Sequence, residues 1–123
     1  IHWEYFYDSY GKALIRLYRI LGELRHKFKS LSARGDFYYY NDPNHYNQGV
    51  IVFRRQSGAE RLMIFINFTE HQKDVWVPFQ DAGRYVEQID IKEASRPPIT
   101  VNQNGQWCKV SVPSHYGCIY AKQ

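Results

Sequence analysis

A chain of 123 residues fits one domain with one core of ordinary size. Its 44% hydrophobic and 23% charged residues suit a globular protein, and no apolar run approaches membrane-spanning length. The net charge of +4 is mild, with cations scattered except between Arg16 and Lys29. That pattern argues against a nucleic-acid partner and for a solvated helix face with its cations near the C-terminus.

The opening segment, Ile1-His2-Trp3-Glu4-Tyr5-Phe6-Tyr7, is unusually apolar for a chain terminus, and no signal-peptide pattern is present. The chain therefore reads as a piece of a larger protein. Leu14, Leu17, Leu21, Leu24 and Phe28 then recur at steps of three and four, which predicts one long helix with an apolar stripe. Tyr18 and Ile20 broaden the stripe, while Arg16, Arg19, Glu23 and Lys27 lie largely outside it. Asp8 or Ser9 suits the helix start, and Gly35 lies beyond its end. The run is too short for a coiled coil, so the helix is expected to dock on a neighbouring layer.

After Gly35 the period changes to alternation. Phe37 to Tyr40 reads as a short strand, Asn41 to Gln48 as a polar loop, and Val50 to Arg55 as a strand. Ser57 to Glu60 turns the chain into Leu62 to Phe68, apolar on both faces except at Asn67 and so a central strand. Val75 to Val77, Tyr85 to Ile89 and Ile99 to Val101 follow at short intervals. Asn104-Gly105 is the preferred dipeptide of a two-residue hairpin turn; on that basis Val101 opposes Cys108 and Ile99 opposes Val110. Period-two alternation points Trp76 and Trp107 away from the core. One long N-terminal helix followed by seven or eight turn-bounded strands makes the fold mainly β, an antiparallel sandwich or barrel.

Aromatic residues make up 17% of the chain, with eleven Tyr. Strand preference explains this surplus; a contact surface is the alternative. Cys108 and Cys118 are the only cysteines, either two buried thiols or one disulfide, and they leave the compartment open. His2, His26, His45, His71 and His115 show no ligand spacing, so neither a metal nor another cofactor is expected. Asn67-Phe68-Thr69 matches a glycosylation sequon, but an Asn ending a buried strand is better explained by structural polar pairing.

Several motifs, in order, carry a family resemblance. Leu17-Tyr18-Arg19-Ile20-Leu21-Gly22-Glu23-Leu24-Arg25 with Leu31, Ala33 and Gly35 resembles the last barrel helix of α-amylase-family enzymes and its exit. Val52-Phe53-Arg54-Arg55, Ile64-Phe65-Ile66-Asn67-Phe68-Thr69, Val75-Trp76-Val77-Pro78, Gly83-Arg84-Tyr85 and Val112-Pro113 through Ile119-Tyr120 resemble successive elements of that family's C-terminal domain. The resemblance implies a Greek-key sandwich at 36–123, with residues 1–35 closing a (β/α)8 barrel that acts on α-linked glucans.

No catalytic residue is expected in this chain. Glycoside hydrolysis needs two carboxylates flanking the bond, and in barrel enzymes such groups sit at the C-terminal ends of barrel strands, which this chain lacks. Arg34-Gly35-Asp36 matches the family's nucleophile motif only superficially, because it follows a helix exit. Asn44-His45 is similar to a substrate-binding motif of the family, but Tyr46 occupies its carboxylate position.

Two functions remain. The domain supports the barrel through an apolar face that includes Leu14, Leu17, Leu21 and Leu24. Alternatively it binds α-glucan, stacking sugar on Trp76 and Trp107 or on a second cluster of Tyr38, Tyr39, Tyr40 and Tyr46. A protein–protein module without any sugar role ranks third, and an apolar dimer seam along the helix stripe would raise it.

Overall fold

Alternation of buried and exposed positions organises most of the chain into strands. The structure, a computed structural model, describes residues 9–32, 35–89, 96–114 and 116–123, with side chains from residue 15 onward and Tyr116 excepted. The elements in order are α1 (Ser9–Lys27), a 3-10 turn (Lys29–Leu31), β1 (Asp36–Tyr39), α2 (Pro43–Tyr46), β2 (Val50–Ser57), β3 (Glu60–Asn67), β4 (Lys73–Phe79), β5 (Gly83–Glu87), β6 (Ile99–Val101), β7 (Gln106–Val112) and β8 (Tyr116–Lys122). The fold is the expected mainly β, antiparallel Greek-key sandwich of eight strands behind one long helix.

The strands form a six-stranded sheet, ordered β1-β2-β3-β8-β5-β6, and a two-stranded sheet of β4 and β7. Every pairing is antiparallel. β2 and β3 make the expected hairpin, with Ser57 opposite Glu60 and Gly58 at φ 58. That positive φ starts a two-residue turn of the primed kind, whose twist matches the strands. β3 lies between β2 and β8 and is buried along most of its length, as its apolar composition predicts.

The expected pairing of Ile99–Val101 with Cys108–Val110 is not what forms. β6 pairs with β5, and β7 pairs with β4 in the other sheet. Asn104-Gly105 still makes a turn, closed by Gln106 N–H to Gln103 O at 3.2 Å with Gly105 at φ 82. The turn changes sheets instead of reversing a hairpin. Asn104 Oδ1 accepts from Ala82 N–H at 2.7 Å, and Gly105 N–H donates to Phe79 O at 2.7 Å. These bonds tie the crossover to the end of β4.

Two apolar layers result. Between the sheets lie Val50, Val52, Phe65, Val77, Phe79, Val110 and their neighbours, each buried side chain of this size contributing about 1.5–3 kcal/mol. Edge-to-face pairs Phe79–Tyr85 at 4.9 Å and Phe65–Tyr120 at 5.9 Å lie in this layer. Cys108 and Cys118 are both buried, with no disulfide between them. The second layer lies on the outer face of the six-stranded sheet, where Leu62, Ile64, Ile119 and Ala121 meet Leu17, Ile20, Leu24 and Phe28 of the helical segment.

The helix therefore docks, as expected, but through a row of its own. Leu17, Ile20, Leu24 and Phe28 face the sheet, whereas Leu21 is 36% exposed and Tyr18 67% exposed. Phe28 ends α1 by taking an extended conformation, φ -109 and ψ 116. Arg55 and Glu60 then hold the exit: Arg55 Nε donates to Ser30 O at 2.8 Å and its Nη2 to Ser32 O at 2.6 Å, while Ser30 N–H donates to Glu60 Oε2 at 2.7 Å.

Candidate functional site

The outer face of the two-stranded sheet is set by cross-strand register. Asp74 lies opposite Ser111, Trp76 opposite Lys109, and Pro78 opposite Trp107. Val75, Val77 and Phe79 alternate with these residues and are buried, as are Cys108, Val110 and Val112. Trp76 and Trp107 are 58% and 55% exposed, as period-two reading predicts. They occupy diagonal positions on one face, a spacing of roughly 7–8 Å. Ser111 Oγ donates to Asp74 Oδ1 at 2.6 Å, closing the polar end of the ribbon. Beneath Trp76, buried His45 contacts the Trp76 carbonyl through Nε2 at 2.7 Å. Asp42 caps α2 by accepting from Asn44 N–H at 2.9 Å, with Pro43 opening the helix, and so places His45 there.

The four tyrosines do not form one surface. Tyr38, Tyr39 and Tyr46 are exposed, but Tyr40 turns into the layer between the sheets. Its hydroxyl donates to Pro78 O at 3.2 Å and accepts from Arg54 Nη1 at 3.1 Å. Burial pushes the Tyr40 hydroxyl above its ordinary pKa, against the opposing pull of Arg54. The Arg54 guanidinium also lies over the Tyr38 ring, 4.7 Å from its centroid. Tyr39 belongs to the opposite face of the same sheet, beside Phe53 in the register. Sequence reading missed Arg54 because the residue links Tyr38 and Tyr40 only once β1 pairs with β2.

On the far side of the molecule, α1 and the six-stranded sheet enclose an apolar groove of about 510 Å³. Leu17, Leu21, Ile64, Ile66, Ile89 and Ile119 contribute to its walls. Of the four leucines predicted to face a barrel, Leu24 is buried against the sheet, Leu17 is half-buried, and Leu21 stands at the groove. The side chain of Leu14 lies outside the described residues.

Asn67 is fully engaged, 2% exposed. Its Nδ2 donates to His71 O at 2.9 Å and Val112 O at 3.0 Å, and its Oδ1 accepts from Thr69 N–H at 2.8 Å. This side-chain turn is the structural pairing expected of the residue and leaves no free amide for a glycan. Among the described residues, no group of three or more His, Cys, Asp or Glu side chains is placed to hold a metal ion. No described helix is long and apolar enough to cross a membrane.

The α-amylase C-terminal all-β domain family matches residues 40–123, well over half of the chain. Among solved structures, an Anoxybacillus α-amylase is 24% identical with a TM-score of 0.69, covering 90% of this chain and 22% of its own. The α-amylase of Geobacillus thermoleovorans, solved with acarbose, is 20% identical with a TM-score of 0.66, covering 85% and 22%. An isomaltulose synthase of Erwinia rhapontici, solved with D-glucose, is 24% identical with a TM-score of 0.56, covering 86% and 17%. These likenesses establish the fold alone, and the chain spans only about a fifth of the length of the α-amylases it matches. No curated protein sequence matches the chain. By its family match and its eight-strand sandwich, the chain belongs to the α-amylase C-terminal all-β domain family.

Proposed function

We propose that this chain is the accessory domain of an α-glucan-active enzyme and supports the catalytic (β/α)8 barrel of the same polypeptide. Residues 1–35 close the barrel and 36–123 form the supporting domain. The observation that carries this reading is the open apolar groove between α1 and the six-stranded sheet, about 510 Å³ in volume. Leu21 and Tyr18 extend that surface on the helix, and Phe68 extends it from the end of β3. A surface of this kind is the mark of an interface, and interfaces within one chain bury roughly 600–1,500 Å². In the intact enzyme, Leu21→Asp combined with Ile66→Asp should lower the barrel's thermal midpoint by several degrees. An unchanged midpoint in the folded double variant would overturn the reading.

A second reading, α-glucan binding, is favoured by one specific observation. Trp76 and Trp107 lie on the outer face of the β4–β7 ribbon, whereas α1 covers the outer face of the other sheet. A barrel docked along α1 leaves both indoles in water, where an exposed ring gains about 0.5–1.5 kcal/mol by stacking. Pro78 and Lys109, placed opposite them, add an apolar shelf and a hydrogen-bond donor. Sugar-dependent quenching of Trp fluorescence with maltoheptaose, lost in Trp76→Ala or Trp107→Ala, is the expected result.

A further inference from the structure

Among the described residues β4 pairs only with β7, so the backbone groups on its other edge have no strand to meet. Buried backbone carbonyls left without a partner are costly. Two of these carbonyls are met by side chains instead. His45 Nε2 lies 2.7 Å from Trp76 O, and the Tyr40 hydroxyl donates to Pro78 O at 3.2 Å. The two hooks grip β4 two residues apart, the spacing at which a strand presents successive carbonyls to one edge.

Both hooks come from the stretch between β1 and β2, and that stretch is held from several sides. Asp42 accepts from Asn44 N–H at 2.9 Å, Gln48 Nε2 donates to Asn44 O at 2.6 Å, and Phe68 N–H donates to Gly49 O at 2.9 Å. Arg54 Nη1 braces the Tyr40 hydroxyl at 3.1 Å. His45 is 2% exposed, and its Nδ1 is buried with no hydrogen-bond partner among the described residues. A carbonyl only accepts, so Nε2 carries the proton and Nδ1 the lone pair. Asp42 Oδ2 stands 3.7 Å from Nε2, outside hydrogen-bond reach. The bond to Trp76 O is therefore what the imidazole contributes beyond its volume.

We infer that His45 is a positioning residue for the outer face of the ribbon. By holding the Trp76 carbonyl it fixes the peptide plane from which the indole projects. Trp76 is 58% exposed, so its direction depends chiefly on its backbone. A contact residue ordered before its ligand arrives loses less freedom on binding. The inference takes its ligand from the glucan-binding reading above, while the positioning itself is measured without sugar.

The test is NMR relaxation of the isotopically labelled 123-residue chain as wild type, His45→Gln and His45→Asn. A Gln amide reaches as far along the side chain as Nε2, whereas an Asn amide reaches only as far as Nδ1, so Gln alone can keep the bond. The Val77 N–H shares its peptide plane with Trp76 O. Its order parameter should fall from about 0.85 to below about 0.6 in His45→Asn, and the Trp76 indole N–H should loosen with it. The Trp107 indole should not change, and His45→Gln should restore both signals. Maltoheptaose affinity should drop about two- to tenfold in His45→Asn and recover in His45→Gln. A folded His45→Asn chain with Val77 still rigid would overturn the inference. So would a His45→Gln chain as loose as His45→Asn, which would make the imidazole a filler of space. Should His45→Asn fail to fold, the wild-type imidazole decides: a slowly exchanging proton on Nε2 bears the inference out, and a proton on Nδ1 instead overturns it. Order parameters that respond as expected, in a chain that binds no maltoheptaose, would leave the positioning standing and remove the glucan-binding reading.

Discussion

The two outer faces of the sandwich solve the same problem in opposite ways. On the six-stranded sheet, Leu62, Ile64, Ile119 and Ala121 present a wide aliphatic face that is stable only under cover, and α1 supplies part of it. On the two-stranded sheet, Asp74, Trp76, Pro78, Trp107, Lys109 and Ser111 mix rings with polar groups. Such a face needs no cover, because scattered apolar surface beside polar groups is ordinary. The first face acts through area, and the second through a few individual side chains.

The sharpest way to break this comparison is to truncate one residue on each face. Ile64 is 7% exposed beneath the helix, so Ile64→Ala should cost about 2–4 kcal/mol. Trp76→Ala, at an exposed position, should stay within about 0.5 kcal/mol. Urea denaturation of the two variants checks both values. Equal losses would mean that the ribbon's indoles hold the fold as the aliphatic layer does.

The layer between the sheets should respond to pH as well as to truncation. Burial, then Asp81 and Tyr40, push the Tyr85 hydroxyl up to about 12 from its ordinary 10.0. Burial also raises Tyr40 and Tyr120. A raised pKa in the folded state means that the unfolded chain loses its proton first, so alkali favours unfolding. Stability should hold below pH 10 and fall as pH rises through 12. Tyr85→Phe should flatten that fall in urea midpoints measured from pH 9 to 12; an unchanged slope would place the alkaline transition elsewhere.

How legible these faces were in the sequence depends on how much of each lies on a single strand. Trp76 between Val75 and Val77 declares its direction alone, because side chains alternate whatever the partner strand. The pairing of β6 was not legible: Asn104-Gly105 signals a turn, and the turn is there, but its residues do not say that the chain leaves one sheet for the other. The helix stripe held more apolar positions than one contact row needs, so Ile20 took the place expected of Leu21. Tyr40 was grouped with its exposed neighbours because its burial depends on Pro78 and Arg54, both remote in sequence.

The smallest expected effect tests whether the helix belongs to one layer or two. Gly22 lies within α1 beside the exposed Leu21, and a methyl group there meets nothing within 4 Å. Glycine in a helix costs about 0.5–1 kcal/mol relative to alanine, so Gly22→Ala should stabilise the 123-residue chain by that amount. Gly58 makes a control, since it too has open space but sits at φ 58; alanine there is strained and should destabilise. On the proposed support role, the gain at Gly22 should shrink or reverse in the longer protein, because a barrel packed along Leu21 would leave no room for the added methyl. An equal gain in both proteins would mean that the barrel does not press on this side of the helix, and the support role would then rest on the sheet alone.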